Sequence, residues 1–330
     1  MRIAIIGGGW VGCHLASKLR DVHTVTIFEK NAKLFQGSSY SNQNRLHRGY
    51  HYARSSKTRE LCKDTFTRFT DDYDFLVEPV YNNAYAIPNE SVLDYGTYKN
   101  IFYNYPFLEA NFGLDNLKNI IFVDERYINF QKASDYFNYT LSDNVFTANV
   151  PSAEALKDDY DLVVNCTNNY IRDPTCANAF YEVAITLLYE KTRLLEKADQ
   201  VPFGALTLVD GEFFSIYPYS ENTYTLSDVR YTPVAIFNSV IELSKFKFQE
   251  DNLEHYKELF TSRVKRYYPE FDKAFSYKGY FLATKAKYKS NSADRYPFIS
   301  QQGNVINCFT GKIQGIYIVE DYIKNEIARR

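Results

Sequence analysis

Residues 2–12 read R-I-A-I-I-G-G-G-W-V-G, and residues 24–29 read T-V-T-I-F-E. The fold turns on these two stretches. Arg2 to Ile6 is an apolar, largely β-branched run, the pattern of a strand buried on both faces of a parallel sheet. It leads straight into Gly7-Gly8-Gly9-Trp10-Val11-Gly12, a G-x-G-x-x-G match on Gly7, Gly9 and Gly12. A helix is predicted over Cys13–Arg20, with Val11, Leu15, Ala16 and Leu19 along one stripe. A second strand, Thr24–Phe28, ends in Glu29, 22 positions after Gly7, close to the ~20 expected of a dinucleotide-binding βαβ unit. Gly7 permits the tight turn, Gly9 lets a pyrophosphate approach bare backbone, and Gly12 lets the helix pack closely on the sheet. The helix N-terminus offers unpaired N–H groups and partial positive charge to phosphate. Glu29 can accept from ribose hydroxyls. Gly7, Gly9, Trp10, Val11, Gly12, Glu29 and Lys30 are therefore candidate cofactor-binding residues.

The unit alone serves NAD and FAD alike. Two features favour FAD: the unit opens the chain, and residues 36–59 (QGSSYSNQNRLHRGYHYARSSKTR) do not read as the third strand of a nicotinamide domain. They read as a polar loop beside the cofactor, where chemistry tends to sit.

Composition narrows the classes. With 330 residues the chain is long enough for two interleaved domains. Its 38 basic and 40 acidic residues leave a net charge of −2, without the basic surface that grips nucleic acid non-specifically. No run of about 18 apolar residues offers a transmembrane helix, and the glycine-broken start does not read as a signal peptide. The five cysteines form no C-x-x-C pair, which points to a reduced, cytoplasmic setting. The five histidines form no zinc pattern, so no metal site is expected. The P-loop, HExxH, GxSxG and DFG motifs are absent from the sequence.

At this point the chain resembles the FAD-dependent oxidoreductases of the D-amino-acid oxidase type, a superfamily that includes glycine and sarcosine oxidases and L-2-hydroxyglutarate dehydrogenase. Four segments carry the resemblance. The first is Gly7 to Glu29. The second is Gly37-Ser38-Ser39 with Asn42 to Tyr52, similar to S-x-x-N-S-G-V-I-H-x-G-x-Y-Y of the hydroxyglutarate branch; Asn42, His47, Gly49 and Tyr52 match. Asn44 stands for a glycine there, and His51 for a tyrosine. The third is Tyr160 to Thr167, similar to D-x-V-V-x-A-T-G, with Asn168 in place of the glycine. The fourth is Asp294 to Ile299, similar to D-x-x-P-x-I-G with Ser300 as its last residue, followed by a strand, Val305–Phe309, and Thr310 to Ile316. That last turn is similar to the family's T-G-H-x-x-x-G, with Lys312 in the histidine's place, and leads into a final helix through Glu320 to Ile327.

The resemblance implies an α/β fold: a Rossmann-like FAD-binding domain with a parallel sheet, from residues 1–70, 126–172 and 290–330. A substrate domain with a mixed, largely antiparallel sheet would come from residues 71–125 and 173–289. Strand-like runs at Ala84–Ile87, Val183–Leu188, Ala205–Leu208, Phe213–Tyr217 and Thr223–Leu226, and an amphipathic helix at Asn252–Tyr267, suit the second domain. The implied cofactor is FAD, with Ser38, Ser39, Asn42, Arg45, Leu46, Thr167, Gly311, Lys312, Gly315 and Ile316 added to its contacts. A hydride equivalent would pass from a CH–NH or CH–OH carbon of a small or conjugated substrate to flavin N5. A C–OH substrate needs a base for its hydroxyl proton, a role that suits histidine. His47 comes first, His51 second, and Lys312 is a cation at the flavin's pyrimidine end. Tyr52, Tyr217, Tyr231 and Lys285 are candidate substrate contacts. A non-redox flavin protein and an NAD-dependent dehydrogenase stand as alternatives.

Overall fold

The run Arg2–Ile6 is an inner strand of a six-stranded sheet, ordered Phe298–Gln302, Val305–Phe309, Leu162–Asn165, Arg2–Ile6, Thr24–Glu29, Val145–Thr147. Every pairing is parallel except that of Phe298–Gln302 with Val305–Phe309. Ile5 lies between Ile27 and Val164 in register. Both faces are covered, as the apolar run requires. On one side Ile3, Ile5, Ile27 and Val164 pack under the opening helix Trp10–Leu19 and the closing helix Ile316–Arg329. On the other, Ala4, Ile6, Phe28 and Val163 meet Val150 and Ala153. We describe the protein from a computed structural model covering residues 1–117, 119–192, 202–289 and 295–330.

A second, nine-stranded sheet is mostly antiparallel. Its strand Ala179–Lys191 pairs along its whole length with Phe275–Tyr288. The order then runs through Thr223–Asp228, Phe214–Pro218, Ala205–Leu208 and Asn83–Ile87, the last two being parallel. The period-2 alternation of these strands sorts their side chains. Leu206, Phe214, Ile216 and Leu226 pack with Phe260 and Val264 of the helix Leu253–Lys265. Tyr85, Thr207, Ser215 and Tyr217 occupy the intervening positions and project from the opposite face. A small sheet of Arg45–Leu46, Arg126–Ile128 and Val77–Pro79 holds the loop near that polar face.

The sequence-based elements recur with shifted ends. The opening helix begins at Trp10 rather than Cys13, and the closing helix at Ile316. The expected loop 36–59 stops earlier, because Ser56–Tyr73 is an 18-residue helix. Ser55 caps it, accepting from Thr58 N–H at 3.4 Å, and its buried stripe runs Leu61, Cys62, Thr65, Phe66, Phe69, Tyr73. Asp294, which opens the fourth motif, lies outside the described residues. Among those described, no helix is long and apolar enough to cross a membrane.

Candidate active site and dinucleotide cradle

The turn after the first strand is built for close approach. Gly7 has φ +105°, and a Cβ on it would come within 3.0 Å of Cys166 O. A Cβ on Gly12 would lie 2.0 Å from Gly7 O, so the opening helix rests directly on the turn. At Gly9 a Cβ would meet only the Ser39 hydroxyl, at 2.9 Å, which leaves this backbone open. Trp10 N–H donates to Ser39 Oγ at 3.0 Å. The Val11 and Gly12 amides lie in the first turn, where a helix supplies no acceptor. Glu29, only 7% exposed, accepts Gly8 N–H at 2.8 Å on Oε2, and Asn31 N–H and Nδ2 at 2.9 and 2.7 Å on Oε1. It thereby fixes the loop while keeping lone pairs for hydroxyl donors. Open backbone, unspent amides and a terminal carboxylate fit the ADP half of FAD.

Neighbouring segments lock this loop. Ser38 Oγ donates to Thr284 O at 2.9 Å and accepts from Asn168 Nδ2 at 3.0 Å. Asn168 itself has φ +54°, the left-handed conformation for which the family uses glycine. Thr167 Oγ1 donates to Asn165 Oδ1 at 2.7 Å and accepts from Ile171 N–H at 2.9 Å. Asn42 Oδ1 accepts Asn44 N–H at 2.9 Å, supporting Asn44 at φ +53°. Gly311 and Gly315 lie tight against neighbours, Arg295 O and Pro297 Cγ, each 2.8 Å from a would-be Cβ.

The second constellation is a buried polar cluster. Arg45 reaches into the polar face of the large sheet. Its Nη1 donates to Ser215 Oγ at 2.8 Å, and its Nη2 to Tyr85 OH at 3.0 Å and Thr207 Oγ1 at 3.1 Å. Its guanidinium stacks 3.9 Å from the Tyr217 ring centroid. Glu125, 1% exposed, accepts Arg48 N–H at 2.8 Å and Tyr85 OH at 2.7 Å. It also lies 3.6 Å from both Arg45 Nη2 and His47 Nδ1. His47 Nε2 meets Lys312 Nζ at 3.2 Å. The backbone of His47 is gripped by buried Gln314, whose Oε1 accepts its N–H at 3.1 Å and whose Nε2 donates to its carbonyl at 2.8 Å. The Tyr52 ring lies 5.4 Å from that of His47 and 4.7 Å under Lys312 Nζ. His51 stands 6.0 Å from His47, ring to ring.

Burial sets the protonation states. It pushes His47 down to about 3, with Lys312 adding to the effect and Glu125 only partly opposing it. His51 is lowered by burial and then by Arg45. Burial works against an ionised Glu125, but hydrogen bonding and charge from His47, with Arg45 and Tyr85, hold it at about 2. Lys312 is brought down to about 7, first by burial and then, against Cys62, by Arg295 and Arg45. At neutral pH the cluster thus holds a carboxylate, two neutral imidazoles and a lysine that is part amine, part ammonium.

The sequence candidates fall into three groups. His47, His51, Tyr52 and Lys312 come together. Arg45 and Tyr217 are adjacent but wholly buried, so Arg45, expected at the cofactor, is spent on the sheet. Tyr217, expected at the substrate, is the platform under Arg45, its OH donating to Arg126 O at 3.1 Å. Tyr231 lies on the opposite face of the sheet, against Phe260. Trp10, Leu46 and Ile316 bury their side chains in the core, which leaves only backbone for a ligand. Lys30 is exposed, 5.2 Å over the Tyr170 ring, and Lys285 lies 3.9 Å from Glu182. Glu125, Tyr85, Thr207, Ser215 and Gln314 escaped sequence reasoning. Asp124-Glu125-Arg126 looks like a solvated turn, while Gln314 sat unremarked inside a motif already quoted.

Comparison with known proteins agrees with this geometry. The family model for FAD-dependent oxidoreductases matches residues 2–78. The chain is 33% identical over 331 residues to the FAD-dependent monooxygenase FPY4 of Fusarium mangiferae, covering 97% of this chain and 89% of that protein. It is 28% identical over 383 residues to the FAD-dependent monooxygenase kojA of Aspergillus flavus, covering 100% and 87%. Among solved structures, glycine oxidase from Geobacillus kaustophilus superimposes with TM-score 0.71 at 11% identity, over 100% of this chain and 95% of that one. L-proline dehydrogenase from P. horikoshii gives 0.69 at 11%, over 98% and 93%. A third of the residues shared with a flavoenzyme across nearly the whole length, on this fold and behind this cradle, places the chain in the family of FAD-dependent oxidoreductases of the D-amino-acid oxidase type.

Proposed function

We propose that the chain oxidises a carbon bearing –OH or –NH in a small or conjugated substrate, and that Lys312, backed by His47, takes the departing O–H or N–H proton. FAD, when bound, supplies the two-electron acceptor. The backbone of Gly7, Gly9, Val11 and Gly12 and the carboxylate of Glu29 hold its ADP half. His47, His51, Tyr52 and Lys312 line the reacting end. Residues 1–70, 126–172 and 290–330 are the cofactor domain, and 71–125 with 173–289 the substrate domain; membership of the two large sheets supports that division. Five free thiols support a reduced, cytoplasmic setting.

One observation carries the assignment of the base. His47 is 4% exposed, whereas Lys312 is the part-exposed member of the pair, with an affinity for protons near neutrality. A general base works best when its pKa lies near the working pH. The test is anaerobic mixing of flavin-loaded protein with a panel of sugars, hydroxy acids, primary alcohols and secondary amines, followed by flavin absorbance. At least one class bleaches the flavin. Its rate rises with pH through about 7 and then levels, because the amine form of Lys312 accumulates above that value. In Lys312→Met the rate is lower by about 100-fold, within the usual range for general-base loss, and flat in pH. No bleaching by any class, or a wild-type pH profile in the variant, would overturn the reading. The curated relatives are named monooxygenases, which favours oxygen insertion as a second reading. Product formed under 18O2 carries the label if insertion occurs and lacks it if oxygen only reoxidises the flavin.

A further inference from the structure

We propose that Glu125 is a positioning residue that fixes the tautomer of His47 and thereby keeps the Lys312 lone pair free for the substrate. This rests on the reading of Lys312 as the base. An ionised carboxylate only accepts. Both Glu125 oxygens already accept, from Arg48 N–H and Tyr85 OH, in a pocket that also holds Arg45. The carboxylate oxygen facing His47 Nδ1 is Glu125 Oε1 at 3.6 Å, just beyond hydrogen-bonding distance, and buried Nδ1 has no hydrogen-bond partner. Facing an anionic acceptor, Nδ1 is the nitrogen on which the proton of the neutral ring is favoured. Nε2 then bears the lone pair, and the contact at 3.2 Å runs from Lys312 N–H to His47 Nε2.

That direction matters. A neutral amine has two N–H bonds and one lone pair. With one N–H spent on His47, the lone pair is left unspent on the part-exposed side chain. The opposite tautomer would turn His47 Nε2–H towards Lys312 and consume the lone pair in accepting it. Gln314 fixes the His47 backbone from both sides, and the ring itself is buried. Among the described residues, the other ionisable groups around the pair are Arg45, His51, Tyr52, Cys62, Lys285 and Arg295. Among these and Lys312, none is an anion at neutral pH, so Glu125 is the anionic acceptor within reach of Nδ1.

Glu125→Gln is nearly isosteric; Tyr85 OH and Arg45 Nη2 hold its amide oxygen in the Oε2 place, so its NH2 takes the Oε1 place, gives up the Arg48 N–H bond, donates to Nδ1 and favours the other tautomer. The test uses FAD-loaded protein with 15N-labelled histidine and long-range 1H–15N correlation spectra between pH 6 and 8, with His47→Gln to assign the signal. This readout needs no substrate. The wild type shows protonated Nδ1 and bare Nε2. Glu125→Gln reverses the ratio, and Glu125→Asp, which keeps the charge, retains the wild-type pattern. If Glu125→Gln does not fold, Tyr85→Phe serves as second variant: it removes one donor, leaves the carboxylate and keeps the wild-type tautomer. Wild-type His47 with protonated Nε2, or an unchanged tautomer in folded Glu125→Gln, overturns the proposal. With any compound that bleaches the wild-type flavin, Glu125→Gln lowers the high-pH plateau by about 100-fold or more, as wrong-tautomer variants of other His–carboxylate pairs do. A plateau at the wild-type rate with only a shifted inflection means that Glu125 acts as a distant charge, and overturns the proposal too. If no compound bleaches the wild type, the base assignment fails while the spectra still decide the tautomer.

Discussion

Gly12→Ala separates the work of the fold from that of the ligand. The added Cβ would stand 2.0 Å from Gly7 O and 3.1 Å from Ile5 Cγ2. A comfortable C···O approach is about 3.3 Å or more, so the helix must withdraw by about 1.3 Å, or the turn must deform. Neither neighbour is a flexible side-chain end, and overpacking of this kind costs about 1–3 kcal/mol of stability. The same shift draws the first-turn amides of Val11 and Gly12 away from a phosphate held by Gly7 to Gly9. Hydrogen bonds to a charged group are worth about 1.5–3 kcal/mol each. Losing one or two of them weakens FAD by roughly 10- to 10,000-fold, at about 1.4 kcal/mol per decade. Gly9→Ala behaves differently: its Cβ would meet only the Ser39 hydroxyl, which can turn aside at the loss of its bond from Trp10 N–H. Gly9→Ala therefore leaves the apoprotein within about 1 kcal/mol of wild type and loses FAD affinity, while Gly12→Ala loses both. Gly37→Ala, with nothing within 4 Å of its Cβ, is the control and matches wild type. The assay is flavin fluorescence quenching on apoprotein, paired with urea unfolding in the absence of FAD. Wild-type FAD affinity and stability in Gly12→Ala would refute the close-packed cradle.

Two further outcomes follow from buried charge. Arg45→Met leaves Glu125 without its guanidinium at 3.6 Å, and removing one member of a buried pair costs about 3 kcal/mol or more. Urea unfolding should show this loss in Arg45→Met and a comparable one in Arg45→Lys, whose single ammonium cannot span Ser215, Tyr85 and Thr207; a change under about 1 kcal/mol would discount the strut. Glu320 joins the closing helix to the opening one through His14 Nε2 at 2.9 Å, and also meets Arg68 at 3.1 Å and Lys324 at 2.6 Å. Burial opposes its ionisation, yet His14 and Lys324 hold it at about 2, below the ordinary 4.5. A carboxylate lowered in the folded state stabilises fully above its unfolded value and loses that contribution as pH falls. Wild type should therefore weaken between pH 4.5 and 2 more steeply than Glu320→Gln, and parallel urea midpoints in the two proteins would contradict the pairing.

The cofactor half of the molecule was legible because its signals are local. Strand, glycine turn, helix and terminal acid sit within residues 2–29, and each glycine answers to a steric demand from its near neighbours in the fold. The Asn168 substitution was readable for the same reason, since a left-handed φ is a property of one residue. The helix Ser56–Tyr73 was not legible as such. Its start hides in a run of Ser, Arg and Lys, and its apolar stripe declares itself only when Phe66, Phe69 and Tyr73 meet Trp10 and the closing helix. The side of Tyr231 was not legible because it sits in the turn between Thr223–Asp228 and Pro233–Phe237, where no strand alternation assigns a face.

The candidate cluster was half legible, and the reason is electrostatic. His47 and Lys312 stood out because they occupy positions in recognisable turns. What decides their chemistry is the company they keep, and that company is assembled from residues 45, 85, 125, 207, 215 and 314, which no spacing rule connects. An isolated glutamate is read as solvated because burying a charge is costly. Glu125 escapes that rule only after two separate chain segments deliver Arg45 with the Arg48 amide, and Tyr85, to it. Its ionisation then favours a proton on His47 Nδ1, which in turn sets what Lys312 can accept. A polar face on the large sheet and a loop from the cofactor side are each unremarkable alone. Joined through Arg45, they create a water-poor pocket in which one carboxylate can govern two bases.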